Sequence, residues 1–167
     1  IVQGKAASLF TRCYAVSRDK KYLEWAKQSL IAAWRPIQKN GCLVRLPSGL
    51  IWVEEYPSPK PSMVLNGFLF FIIGMSEYIS QTQDNEIKEM LNLSLKSVLS
   101  WLPHYRQSNH LLYSMYHWDL CNVHYTGIMH YQFKHLHALT NIQAFQKFAD
   151  FTSDITPWNT FEKLFES

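Results

Sequence analysis

"NGFLFFIIGMSEYISQTQDNEIKEMLNLSL", from Asn66 to Leu95, decides the fold. Asn66-Gly67 opens a run from Phe68 to Met75 that is apolar on nearly every side. A helix of that kind must be covered on most of its surface. Polar residues then close a short turn, and Asp84 is placed to cap a second helix through Trp101 that is more charged and one-sided. The stretch therefore predicts a helical hairpin with one inner and one outer member. The inner helix is expected from Ser62 to Gln81 and the outer one from Asp84 to Trp101, with Pro103 beyond.

The same arrangement occurs twice more. "GKAASLFTRCYAVSRDKKYLEWAKQSL" (Gly4–Leu30) and "TGIMHYQFKHLHALTNIQAFQKFADF" (Thr126–Phe151) each have a glycine, an apolar helix, a polar turn and a second helix. Gly4, Gly67 and Gly127 recur at roughly sixty residues, the signature of a repeated unit. The expected inner helices are Val2–Ser17 and Val123–Leu139. Their outer partners run from Asp19 to Trp34 and from a cap at Asn141 to about Phe151. Consecutive hairpins with one apolar member each pack as an α/α toroid, here an incomplete one of three hairpins. The fold class is thus all-α with a small β-hairpin insert.

That insert is "CLVRLPSGLIWVEEY" (Cys42–Tyr56), two short extended runs, Leu43–Leu46 and Leu50–Val53, joined by Pro47-Ser48-Gly49. Pro57, Pro59 and Pro61 make an extended arm after it that cannot join a sheet interior. "NHLLYSMYHWDL" (Asn109–Leu120) reads as a second extended segment. These inserts emerge at one rim of the toroid. Residues 1–155 read as one domain and 156–167 as a tail, with a short helix expected near Phe161–Phe165. The chain opens without Met, on a helix, so it is expected to be part of a longer protein.

Composition sets limits. The 167 residues are 47% hydrophobic and 17% charged, as in a well-buried globular chain. Aromatic residues make up 15%, with six Trp, nine Tyr and ten Phe, and aromatic surfaces commonly hold sugars. A net charge of +3 without a dense Lys/Arg run argues against nucleic acid. Cys13, Cys42 and Cys121 form no CxxC, and Cys13 reads as a small core residue. "MVLNGFLFFIIGM" is short of the roughly 20 residues of a membrane span. There is no Gly-rich phosphate loop and no GxSxG elbow. His124, His130, His135 and His137 do not stack on one helical face, so no metal is expected there.

What remains is carboxylate and phenol chemistry. Glu54 and Glu55 should point to opposite faces of a regular strand, so one of them enters the groove. Tyr56, Tyr113, Tyr116 and Tyr125 are available beside it. The plainer alternative is a surface acid beside a packed ring. A neighbouring carboxylate raises a phenol's pKa, so a phenolate would need a cation, with Arg45, Lys60, Arg106 and the histidines as candidates.

"VQGKAASLFTRCY" (Val2–Tyr14), "GLIWVEEYP" (Gly49–Pro57), "SMVLNGFLFFIIGM" (Ser62–Met75) and the YxxxMHYQF stretch (Tyr125–Phe133) resemble the carboxyl-terminal domain of D-glucuronyl C5-epimerases. W-x-E-E-Y-P followed by V-L-N-G is the most specific part. The resemblance implies an α/α toroid that inverts C5 of D-glucuronate in a polysaccharide of heparosan or heparan type, giving L-iduronate. It implies no cofactor, amino-terminal β domains elsewhere in the protein, a tendency to dimerise, and an acidic polysaccharide as partner. The isolated fragment is expected to be inactive. Carried over by position, Glu55, Tyr56, Tyr113 and Tyr125 are the catalytic candidates, and Asn66, His117 and Gln132 the substrate-binding ones. Trp52, as an aromatic expected to line the groove, is a further substrate-binding candidate. Tyr116 stands where the family has an arginine, and Met129 where it has a histidine. A uronate lyase would share the first proton transfer, and a non-catalytic glycan-binding homologue would use the same groove. Convergence of the three tyrosines on Glu55 discriminates between catalysis and mere binding.

Overall fold

The computed structural model describes residues 2–156. The expected helix near Phe161–Phe165 lies outside the described residues. Six α-helices form three antiparallel pairs among them: α1 (Val2–Ser17) with α2 (Lys21–Trp34), α3 (Leu65–Gln81) with α4 (Asn85–Trp101), and α5 (Val123–Thr140) with α6 (Gln143–Ile155). Two small antiparallel hairpins interrupt them: β1 (Leu43–Arg45) with β2 (Ile51–Val53), and β3 (Arg106–Gln107) with β4 (His110–Leu111).

The central element is α3. Residues from Leu65 to Tyr78 are buried on it almost without break, Phe70 being the exception. It packs against α1 on one side and α5 on the other, with α4 behind. The α1–α3 crossing is very close: a methyl group at Gly4 would meet the Phe71 Cα at 2.7 Å, and one at Gly74 would strike the Gly4 carbonyl. Glycine at these points lets two backbones touch. No helix among the described residues is long and apolar enough to cross a membrane.

The inner–outer scheme needs one correction. α1 buries only Gly4, Ala7 and Thr11, no more than the Ala26, Leu30 and Ala33 of its outer partner α2. Leu9 faces an open trough that α1 shares with α3 and α5 and stays 59% exposed, and Cys13 is only half-buried. α3 and α5 follow the expected order.

Boundaries shift where tertiary contacts override local signals. α3 starts at Leu65, not Ser62, because Met63 has φ 52°, a left-handed conformation no helix can contain. Asn141 does not cap α6. It adopts φ 56° and closes α5, its N–H donating to His137 O. Asp84 does cap α4, accepting from Ile87 N at 3.2 Å. The segment from Asn109 to Leu120 is not one extended run. It folds back on itself, with Leu112 bridged to Leu120 and Tyr113 N donating to Asp119 O. The tip carrying Tyr113 and His117 is thereby brought over the start of α3, where Leu65 N donates to Tyr113 O at 3.0 Å.

The inner helices are also tied by charge. Glu77 of α3 accepts from Arg12 Nη2 at 2.6 Å, from Ser8 Oγ, and from His135 Nε2 at 2.8 Å. Burial opposes ionisation of Glu77, but these donors outweigh it and hold the carboxyl below its ordinary range. One acid thus joins α1, α3 and α5.

Candidate active site

Glu54 and Glu55 follow β2 and go separate ways. Glu54 is 1% exposed and turned inward, accepting from Ser62 N at 3.0 Å, Ser62 Oγ and Met63 N at 3.0 Å. Burial pushes its carboxyl pKa up, and these donors only partly offset that. Glu55 faces the other way. Its Oε2 is buried without a hydrogen-bond partner among the described residues, so it retains full capacity to accept a proton or a hydroxyl.

Tyr56 and Tyr113 stand beside Glu55, and Tyr125 adjoins Tyr113. Tyr56 is 58% exposed, and its hydrogen bond with Glu55, reinforced by the Glu55 charge, raises its pKa. Tyr56 also interacts with the Tyr113 hydroxyl. Tyr113 is pushed well above the ordinary phenol range, first by burial and then by the charge of Glu55. The Tyr113 and Tyr125 rings lie 4.7 Å apart at 56°. Glu55, Tyr56, Tyr113 and Tyr125 therefore converge, although they come from three separate segments. With their pKa values raised in this way, Tyr56 and Tyr113 are held protonated, as hydrogen-bond donors.

Tyr56 and Tyr113 edge an open hollow of about 480 Å³ at the rim, lined also by Lys60, Ser62, His117 and Asp119, while Glu55 and Tyr125, expected to line the groove, stand behind these two phenols and not in the lining itself. Of the candidate cations, Lys60 and His117 line it. Arg45 lies by a separate hollow, and Arg106 sits 4.4 Å over the Phe151 ring. Tyr116 also lines the rim and packs edge-on against His117.

Three expected substrate contacts lie elsewhere. Trp52 is fully buried, stacked on Tyr105 and packed against Phe68, so it supports the rim from inside and offers no face to a ligand. Strand β2 is buried on both faces because α3 and α4 both pack on it, which defeats the alternation expected of an insert. Asn66 and Gln132 are buried behind the rim, Gln132 Nε2 donating to Asn66 O at 2.9 Å. Gln132 lines a second, mostly apolar trough between α1 and α5, not the hollow beside Tyr56.

The four histidines go to different places. His130 meets Ala149 O and Thr152, His135 meets Glu77, His137 meets Ile142 O, and His124 packs against Tyr125. Among the described residues no group of three or more His, Cys, Asp or Glu could hold a metal ion.

Two positioning groups escaped the sequence reading. Asn122 caps α5, its Oδ1 accepting from Tyr125 N at 2.9 Å, which fixes the backbone of a site tyrosine. An asparagine directly before an apolar helix is the signal for it. Tyr105 donates to Met63 O from a fully buried position, a contact no local pattern announces.

Comparison with known proteins gives three findings. The family model described as D-glucuronyl C5-epimerase C-terminus matches residues 1–155. The D-glucuronyl C5-epimerase of Caenorhabditis elegans is 28% identical over 129 residues, covering 70% of this chain and 21% of that protein. An uncharacterized protein of Methanocaldococcus jannaschii is 28% identical over 140 residues, covering 82% of this chain and 42% of that one. The chain thus spans less than half the length of either relative. Among solved structures, the GH76 α-mannanase of Bacteroides thetaiotaomicron superposes with a TM-score of 0.63 at 12% identity, covering 92% of this chain and 43% of that one. At that identity the likeness concerns the fold, an α/α toroid.

Proposed function

The chain belongs to the D-glucuronyl C5-epimerase C-terminal family, and on that premise we propose that it carries the proton-transfer groups of an enzyme that inverts C5 of D-glucuronate within an acidic polysaccharide. The observation that carries this reading is the convergence of Glu55, Tyr56, Tyr113 and Tyr125 at one rim.

The chemistry follows from the substrate. The C5 hydrogen lies α to a carboxylate, so its removal creates an enolate-like dianion. One group must take the proton from one face, and another must return one to the opposite face. Glu55, with an unengaged buried oxygen, is the proton acceptor. Tyr125 is the donor on the other side. Tyr56, kept protonated by Glu55, and Tyr113, kept protonated first by its burial, donate hydrogen bonds to the carboxylate oxygens as charge develops on them. Lys60 and His117 supply further contacts at the hollow, in the region where Tyr116 replaces the family's arginine.

The test is solvent exchange. The full-length protein is incubated with a glucuronate polymer of heparosan type in deuterated water, and deuterium is sought at C5. Deuterium at C5 with new iduronate supports the reading. Unsaturated ends absorbing in the ultraviolet would instead mark a lyase, in which the same proton leaves and the bond at C4 then breaks. Binding with neither product would mark a glycan-binding homologue.

A further inference from the structure

We infer that Glu54 is a positioning residue, whose buried carboxylate fixes the Ser62–Met63 turn and, through it, the placement of Tyr56 and Tyr113. The inference deepens the reading of this rim as a proton-transfer site and rests on it for its consequence in catalysis.

A buried carboxylate is costly unless donors satisfy it. Glu54 is met by three, the Ser62 N–H, the Ser62 hydroxyl and the Met63 N–H, which lie eight and nine residues further along the chain. These bonds close a loop that contains Glu55, Tyr56 and Lys60. Between them the arm has no strand pairing, so Glu54 is what ties its far end to its root.

The turn so held is an unusual one. Met63 adopts φ 52°, which a side chain with a Cβ rarely takes and which persists only where its surroundings enforce it. Glu54 grips the Met63 N–H and the Tyr105 hydroxyl grips the Met63 carbonyl. On its other side the same arm is strapped to the Tyr113 tip. Val64 is bridged to Ser114, Leu65 N donates to Tyr113 O, and Tyr116 N donates to Ser62 O. A shift of the turn therefore moves the Tyr113 backbone directly, and it moves Tyr56 through the loop. Glutamine at position 54 keeps the shape but has one accepting oxygen, and its amide would face a backbone donor.

The test uses the full-length protein with isotope-labelled tyrosine rings, alongside C5 deuterium exchange per folded molecule. In Glu54→Gln the ring signals of Tyr56 and Tyr113 should shift, while those of Tyr14 and Tyr22 in the first hairpin stay in place. Glycan affinity should hold, and the exchange kcat should fall about 10- to 100-fold, as for a misplaced catalytic group. Tyr105→Phe acts on the same turn. Its effect on kcat should combine with that of Glu54→Gln to less than the product of the two. Should Glu54→Gln fail to fold, Tyr105→Phe and Ser62→Ala give the same readout. Unmoved Tyr56 and Tyr113 signals in a folded variant overturn the inference, as does full exchange per folded molecule. Moved signals in a protein whose unaltered form shows no exchange sustain the positioning role and overturn the epimerase reading instead.

Discussion

The rings of Tyr113 and Tyr125 lie 4.7 Å apart at 56°, one carried by a folded-back loop tip and the other by the first turn of α5. Neither segment positions its ring alone. Leu65 at the start of α3 holds the Tyr113 carbonyl, and Asn122 holds the Tyr125 amide. The pair is a product of the toroid's packing, and the site's chemistry depends on it.

Tyr113→Phe should leave the fold intact, since only a hydroxyl is removed at a half-buried position. Loss of one donor to a developing oxyanion typically costs about 10²- to 10³-fold in kcat. Steady-state exchange kinetics should show that fall in kcat with little change in KM. A raised KM with kcat unchanged would make Tyr113 a binding residue only.

Asn122→Ala should lower stability by about 1 kcal/mol, the usual value of a lost helix cap. It should also slow exchange, because Tyr125 N loses the acceptor that fixes the start of α5. Thermal melts measure the first effect and deuterium incorporation the second. A variant that melts lower but exchanges at the full rate would remove Asn122 from the positioning of Tyr125.

Glu77→Gln should destabilise the protein at neutral pH by about 1–3 kcal/mol, as expected for lost hydrogen bonds to a charged group. Because the folded carboxyl titrates below its unfolded value of 4.5, its contribution is present in full above that value and is lost as pH falls through the folded one. The difference in Tm between the unaltered protein and the variant should therefore shrink on acidification from about pH 7 to about pH 3. A difference that stays constant over that range would show that charge plays no part in the Arg12–Glu77–His135 tie.

Gly74→Ala should be poorly tolerated, since the added methyl strikes the Gly4 carbonyl across the α1–α3 contact. Backbone on the receiving side cannot yield as a side chain can, and overpacking of this kind costs about 1–3 kcal/mol. Gly49→Ala offers a contrast: no neighbour lies within 4 Å, and only its φ of 76° opposes a side chain. Equal melting temperatures for Gly74→Ala and the unaltered protein would mean that the two helices are not in backbone contact.

The helical hairpins were legible because α3 is apolar on nearly every side, and no packing but enclosure suits such a helix. Burial of α1 was not legible, since its apolar residues do not say which neighbours cover them. The start of α3 was misread for a related reason. Ser62 has the chemistry of a helix cap, but Glu54 takes its N–H and hydroxyl for another purpose. Asn141 suits either end of a helix, and only the left-handed backbone reveals that it closes α5. Trp52 suits a sugar-holding groove by its chemistry, whereas α3 and α4 close both sides of β2 and leave its ring no free face. Composition and spacing alone left Glu55 evenly balanced between a surface acid and a site residue. The family resemblance singled it out with Tyr56, Tyr113 and Tyr125, and the fold brings the four together.

The most direct measurement is the C5 deuterium exchange rate of the Glu55→Gln, Tyr125→Phe double variant, set beside the unaltered full-length protein on the same glucuronate polymer. General acid–base groups typically contribute about 10²- to 10⁴-fold each. The double variant should therefore bind the polymer normally and incorporate deuterium at least about 10²-fold more slowly. Exchange at the unaltered rate in the folded double variant would contradict the assignment of proton transfer to this rim.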